Sequence, residues 1–230
     1  SDCLHRFDFE HLPIRGLLIH MDASWTALYE HRDYPPLIKK TLGESVVAAV
    51  LLAATIKFDG QLTFQLKGDG PMHLLLAQCT AGLGVRGLAR FRATELPMDD
   101  EATKSELNKG QSFESQYNDD WHRLQMIADT LRPEELSQLA DRDILRRLFS
   151  EDDLRLFDSM PVYFKCRCSR DRVSGMLQTL GHEEANSVLV EQGKVEVLCD
   201  FCNRAYVFDA VDVAQLFTGS ATNLGTPQRH

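Results

Sequence analysis

Four of the six cysteines fall in two tight pairs. "YFKCRCSRDRV" sets Cys166 and Cys168 two apart, and "EVLCDFCNRAYVF" sets Cys199 and Cys202 three apart. Residues i and i+2 of a strand point to one face, so Cys166 and Cys168 can both face one ion. A Cys-x-x-Cys turn presents two sulfurs from one loop between strands. Together the pairs can close a tetrahedral shell of four thiolates, the arrangement of structural zinc. Cys-x-x-Cys is a strong signal when a second pair accompanies it, whereas Cys-x-Cys is a rarer partner and departs from a simple zinc ribbon. Four thiolates around Zn²⁺ leave a local charge of about -2. Lys165, Arg167, Arg170, Arg172 and Arg204 lie close enough in sequence to offset it and to help keep the thiols ionised. The alternative is a set of buried or purely redox-active cysteines.

Oxidation offers these residues a second chemistry. Cys199 and Cys202 can pair easily. Cys166 and Cys168 in an extended strand sit near the upper Cα separation for a disulfide, about 6.8 Å. A strained disulfide is oxidising and labile, as a reversible switch requires. The unit from Pro161 to Phe217 builds only a small core. A domain of that size is seldom stable by more than about 5 kcal/mol without a staple. Structural Zn²⁺ supplies roughly 10–16 kcal/mol of binding free energy that is also folding free energy. Loss of the metal is therefore expected to unfold the unit. The residues permit a redox switch without establishing one.

The other candidates point to no catalysis. Cys79 ends an apolar strand and is expected to be buried; Cys3 is expected in a frayed terminus. His182 opens a helix and reads as solvated rather than as a fifth ligand, and the remaining histidines show no metal spacing. There is no Gly-x-Ser-x-Gly elbow, phosphate-binding glycine loop or His-Glu-x-x-His. "AGLGVRG" lacks the flanking strand and helix of a dinucleotide site and reads as a turn. The expectation is a protein that is not an enzyme.

The elements that must position the cysteines can be read from patterning. A net charge of -9 argues against a general nucleic-acid binder. The longest apolar run, Val46 to Ile56, is too short to span a bilayer, and no N-terminal run resembles a signal peptide. The expected compartment is the cytoplasm, where paired cysteines more often mean metal or redox chemistry than structural disulfides. Residues 1–111 read as an α+β domain. A helix from about Pro36 to Lys57, apolar on every face in its second half and so expected to be buried in the core, packs on strands "QLTFQLKG", "MHLLLAQC" and "GVRGLARF". Residues 112–160 read as an acidic helical linker with 12 Asp and Glu against 6 Arg. Its candidate helices are "DWHRLQMIADTL", "PEELSQLADRDILRRLF" and "SEDDLRLF". Residues 161–217 read as a small α+β unit: a strand from Val162 to Cys166, helices after Ser169 and at His182, a hairpin around Asp200 to Asn203, and a last helix to Phe217. Residues 218–230 read as a flexible tail.

"LHRFDFE", "YPPLIKKTLGE", "TIKFDGQLTFQLKGDGPM" and "RGLAR" resemble the N-terminal part of the 33 kDa chaperonin family, the redox-regulated heat-shock holdases of bacteria. "FKCRCSRDRV" and "VLCDFCNRAYVF" resemble its C-terminal zinc-switch motif. The resemblance covers most of the chain. It implies that Cys166, Cys168, Cys199 and Cys202 bind one Zn²⁺ when reduced. On oxidation they would form the disulfides Cys166–Cys168 and Cys199–Cys202 and release the metal. The switch unit and linker would then unfold, and exposed apolar surface would hold unfolding client proteins without ATP. It further implies a homodimer when active, ATP-dependent foldase chaperones downstream, and neither nucleic acid nor membrane as a partner. The chain departs from the family in length. At 26.0 kDa it falls short of the family name, and the shortfall is placed at Gln111–Ser112, where "SELNKGQ" runs directly into "SFESQYNDDWHRL". The zinc motif is untouched.

Two other readings use the same cysteines. A zinc-ribbon module for nucleic acid or a protein partner would employ a basic hairpin with exposed aromatics such as Phe201, Tyr206 and Phe208. The unit from Pro161 to Phe217 carries 6 Lys and Arg against 8 Asp and Glu, which weakens that reading. A thiol oxidoreductase would place Cys199 and Cys202 at the start of a helix, not on a hairpin.

Overall fold

The computed structural model describes residues 2–92 and 118–218. The Gln111–Ser112 junction and the tail beyond Thr218 lie outside them. The chain is α+β, and its contacts divide it into two units, the first of Ser1–Tyr29 and Asp33–Phe164, the second of Glu30–Arg32 and the chain from Lys165 on. No helix among the described residues is long and apolar enough to cross a membrane.

In the first unit, β3 (Gln61–Lys67), β4 (Met72–Thr80) and β5 (Gly84–Phe91) form an antiparallel meander. β8 (Tyr163–Phe164) adds to β5 in parallel, giving the order β3-β4-β5-β8. Helix α2 (Pro36–Thr55) lies on this sheet. It starts where the sequence places it, because Pro36 at the first position forfeits an N–H that would be unpaired anyway. Its buried stripe is Ile38, Leu42, Val46, Ala49, Val50 and Ala53. The expectation of burial on every face fails: Leu52 is 50% exposed and Ile56 49%. A helix covering one sheet buries one stripe, however apolar its other face is. "AGLGVRG" splits into a turn, with Leu83 left-handed (φ 61°), and the start of β5.

A second sheet was not anticipated. β1 (Cys3–Phe9) pairs with β2 (Arg15–His20), β6 (Leu154–Leu156) and β7 (Met160–Pro161). Cys3 is therefore a paired strand residue opposite His20, not part of a frayed end. Asp2 anchors the same region, accepting from the N–H groups of Asp22 (2.8 Å), Ala23 (3.0 Å) and Ser24 at the start of α1 (Ala23–Tyr29). "SEDDLRLF" does not form the expected helix. Its Leu154 and Leu156 pair with Phe9 and Phe7, and this two-residue alternation suits a strand with a sheet edge to join. The helices α3 (Asn118–Ala128), α4 (Pro133–Gln138) and α5 (Asp141–Leu148) occupy the rest of this stretch. "PEELSQLADRDILRRLF" breaks in two because Leu139 and Ala140 are extended. Leu124 of α3, Leu145 of α5 and Phe149 pack with Phe7 and Phe9 in one apolar cluster.

Gly16 sits opposite Phe7, and the Phe7 ring lies where a Gly16 side chain would be: a Cβ there would stand 1.9 Å from the ring tip. The ring cannot swing away freely, since it packs against Phe9 and Phe149. Gly16→Ala is expected to lower the stability of this unit by about 1–3 kcal/mol. A shift of the urea midpoint at constant slope would register it. An unchanged midpoint would mean that the ring repacks at no cost.

The second unit joins α6 (Arg170–Leu180), α7 (His182–Gln192), the hairpin β9 (Val195–Leu198) and β10 (Ala205–Phe208), and α8 (Ala210–Thr218). Ser169 caps α6, accepting from the N–H of Arg172 at 3.2 Å. Gly181 both ends α6 and opens α7 at φ 104°, a conformation that side chains resist. The core is Val173, Leu177, Ala185, Val195, Tyr206, Phe208 and Val213.

Candidate metal centre

The strand expected through Cys166 stops at Phe164, where pairing with β5 ends. Cys166 and Cys168 therefore lie in an irregular loop leading into α6. Backbone bonds other than a ladder shape this loop: the Arg172 guanidinium donates to the Arg167 carbonyl at 2.6 Å, next to the Ser169 cap. The second pair sits on the hairpin, as the spacing predicts. Cys199 N–H donates to the Arg204 carbonyl (2.9 Å) and Asn203 N–H to the Cys199 carbonyl (2.8 Å). Asn203 takes the left-handed conformation that closes the turn (φ 54°). Asn tolerates that region better than most residues.

The two loops bring the four sulfurs within 4.8 Å of one another. Cys166 Sγ is 3.6 Å from Cys199 Sγ, and Cys168 Sγ is 3.4 Å from Cys202 Sγ. These contacts run between the pairs, and all four cysteines are free thiols. A tetrahedral ion with bonds of about 2.3 Å to sulfur needs sulfurs about 3.8 Å apart. The cluster is close to that spacing, so these four residues could hold a metal ion.

Their surroundings differ. Burial pushes the Cys166 thiol far up and also raises Cys202. Burial acts the same way on Cys168, but the Tyr206 hydroxyl and the neighbouring thiols outweigh it and hold Cys168 down to about 7. Tyr206 Oη donates to Cys168 Sγ at 3.1 Å, so Cys168 is the thiolate the pocket favours first. Of the five basic residues near the motif, Arg204 acts in the field of Cys168 and Cys202. Arg170 is engaged elsewhere: it donates to the Val207 carbonyl (2.8 Å), pairs with Asp212 (2.8 Å) and lies 4.2 Å over the Phe208 ring. His182 is not in the cluster; its ring packs edge-on against Phe217. Cys79 is fully buried, and burial raises its thiol to about 11.

Tyr206 is the site residue that sequence reasoning missed, since it stood there as an exposed aromatic. It alternates inward with Phe208 on β10, and both are buried. Two of the three aromatics of a ribbon-type binding surface are thus removed. Tyr206→Phe is expected to keep the fold and weaken metal affinity about 10–100-fold, the usual effect of losing a partner to a ligand atom. Competition with a chelating dye would measure it; an unchanged affinity would mean that the hydroxyl only fills space.

Comparison with known proteins places these motifs. The family model described as Hsp33 protein matches residues 2–113 and 110–209. The 33 kDa chaperonin of Methylobacillus flagellatus is 34% identical over 290 residues, covering 100% of this chain and 99% of its own. That of Nitrosococcus oceani is 34% identical over 286 residues, with 100% and 99% covered. Both alignments are longer than the 230 residues of the chain. These relatives therefore carry residues with no counterpart here, and the two family segments meet at residues 110–113. The crystal structure of the Thermotoga maritima 33 kDa chaperonin shares the fold, with a TM-score of 0.75 at 17% identity over 96% of this chain and 99% of that one.

Proposed function

The chain belongs to the Hsp33 protein family, and from that premise we propose that it is an ATP-independent holdase chaperone switched on by oxidation. The observation that carries the reading is the four-sulfur cluster built from two pairs, each able to close on itself. Cys166, Cys168, Cys199 and Cys202 would hold one Zn²⁺, whose role when bound is to staple a unit too small to stand on its core alone. The residues fit that ion by donor type and by sulfur spacing.

Oxidation acts on the thiols. Cys166 and Cys168 join, as do Cys199 and Cys202. As each S–S bond forms, its two thiols lose their S–H bonds and give up two electrons and two protons, which reduce one hydrogen peroxide to two waters. Disulfide sulfurs are poor ligands, so the cysteines no longer hold the ion together. In the reduced state contacts of 3.6 and 3.4 Å hold the two pairs to each other, and a disulfide bond is only about 2.05 Å long. Forming the bonds within each pair therefore requires both loops to move, which couples the chemistry to loss of structure.

In this reading residues 1–111 are the core domain, 112–160 a helical linker and 161–217 the switch unit. The linker helices rest on β1 through Phe7, Phe9, Leu124, Leu145 and Phe149, and undocking them would bare that surface. Leu52, Ile56 and Leu66 already expose apolar area in the first unit. The ligands are unfolding client proteins, passed on to ATP-dependent foldases. The active form is a homodimer in the cytoplasm, without nucleic acid or membrane as partner. Relatives are named as chaperonins and not as enzymes, and catalysis has no place in this reading.

Light scattering of a heat- or denaturant-unfolded client tests it. The reduced, zinc-loaded protein is expected to leave aggregation unchanged, and the oxidised, zinc-free protein to suppress it at near-stoichiometric ratios. Equal activity in both states would overturn the proposal.

A further inference from the structure

β1 carries Cys3, His5, Phe7 and Phe9 on alternate positions, hence on one face. α5 answers with Asp141 and Leu145 one turn apart, followed by Phe149. At one end of this contact the aromatic rings pack with Leu145. At the other end the pattern turns polar. Cys3 Sγ lies 3.6 Å from His5 Nε2 and 3.3 Å from Asp141 Oδ2, and His5 Nε2 lies 3.1 Å from the same oxygen. His20, opposite Cys3 on β2, brings Nδ1 to 3.6 Å from Asp141 Oδ1. The sequence hid this group, because 138 residues separate Cys3 from Asp141.

We propose that Cys3, His5 and Asp141 form a second metal site, for a borderline-soft divalent cation such as Zn²⁺, with His20 placed to complete it. Bonds of about 2.3 Å to sulfur and 2.0–2.2 Å to nitrogen and oxygen put tetrahedral ligands about 3.3–3.6 Å apart. The three observed separations are 3.6, 3.3 and 3.1 Å. One thiolate and one carboxylate cancel the charge of a dication, so the site is neutral where it is shielded. The His5 and Asp141 side chains are 13% and 15% exposed. Softness selects the metal: a thiolate with imidazole favours zinc over magnesium or calcium, which need oxygen ligands. His20 and Asp141 also line an apolar cleft of about 320 Å³ with Met21, Trp25 and Leu136. Asp141 thus belongs both to the site and to the cleft wall, and the cleft offers the ion a path in. The site lies wholly within the first unit and is independent of the four-cysteine cluster.

The test is metal stoichiometry on the reduced 230-residue chain, dialysed against micromolar Zn²⁺ and measured by elemental analysis. Two equivalents are expected. Cys3→Ser and Asp141→Asn are each expected to retain one, with the second weakened at least 100-fold and the circular dichroism unchanged. Adding Co²⁺ to protein preloaded with one Zn²⁺ gives a second readout: a single-thiolate charge-transfer band, abolished by Cys3→Ser. One equivalent in the wild type, or a second that survives both substitutions, would overturn the proposal. The cluster would then be a hydrogen-bonded Cys–His–Asp group only.

Discussion

Peroxide at mildly raised temperature is expected to strip the ion from the four-cysteine cluster and to melt α6, α7 and α8 together. The expected size follows from the scale of the staple. Structural zinc supplies roughly 10–16 kcal/mol of apparent free energy, against about 5 kcal/mol for a small core. Once four thiols become two disulfides, that contribution is gone. The core of Val173, Leu177, Ala185, Val195, Tyr206, Phe208 and Val213 cannot replace it. The disulfides recover only part: each closes a loop of a few residues, and short loops restrict the unfolded chain least. Chelator-dye absorbance and far-ultraviolet circular dichroism on the same samples read the two events. The Asp141→Asn background removes any contribution from the first unit. Ion release with loss of the 11, 11 and 9 residues of the three helices makes the cysteines a switch. An ion retained with the helices intact makes them a fixed staple, and a zinc-dependent binding module becomes the better reading.

The second unit was more legible than the first, and the reason is local. The Ser169 cap, Gly181, the hairpin around Asn203 and both cysteine pairs are written in stretches of a few residues. Such signals need no knowledge of distant chain. The β1 sheet depends on pairing across most of the chain: Phe7 meets Leu156 and Leu4 meets Met160. With no partner in view, "DLRLF" reads as readily as one turn of helix. The exposed face of α2 is hidden for a similar reason, since periodicity reports how apolar a face is and not whether anything covers it. Within the site, sulfur spacing was legible but Tyr206 was not. Alternation along β10 sends Tyr206 and Phe208 inward together, and only the position of the other loop makes Tyr206 a partner of Cys168.

Phe208 tests whether metal binding and core packing are one equilibrium. It is 1% exposed at the end of β10, among the core side chains of the second unit and beneath the Arg170 guanidinium. Phe208→Ala removes a buried ring at a cost of about 3–5 kcal/mol. That is comparable to all the stability the core of such a unit supplies unaided. The reduced, metal-loaded variant is still expected to fold, because the staple exceeds the loss. Its metal affinity is expected to fall between about 100-fold and several thousand-fold, since each 1.4 kcal/mol is a factor of ten and binding must now also carry the folding deficit. Ligand atoms are untouched, so a purely local site would show no change. Titration against chelators of graded affinity separates the outcomes. An affinity within ten-fold of wild type would mean that the cysteines form their site without folding the core, and oxidation would then have no lever on α6, α7 and α8. A fall of the expected size would mean that damage anywhere in this core lowers the threshold at which oxidant opens the unit. Core substitutions should then shift the switch without altering a cysteine.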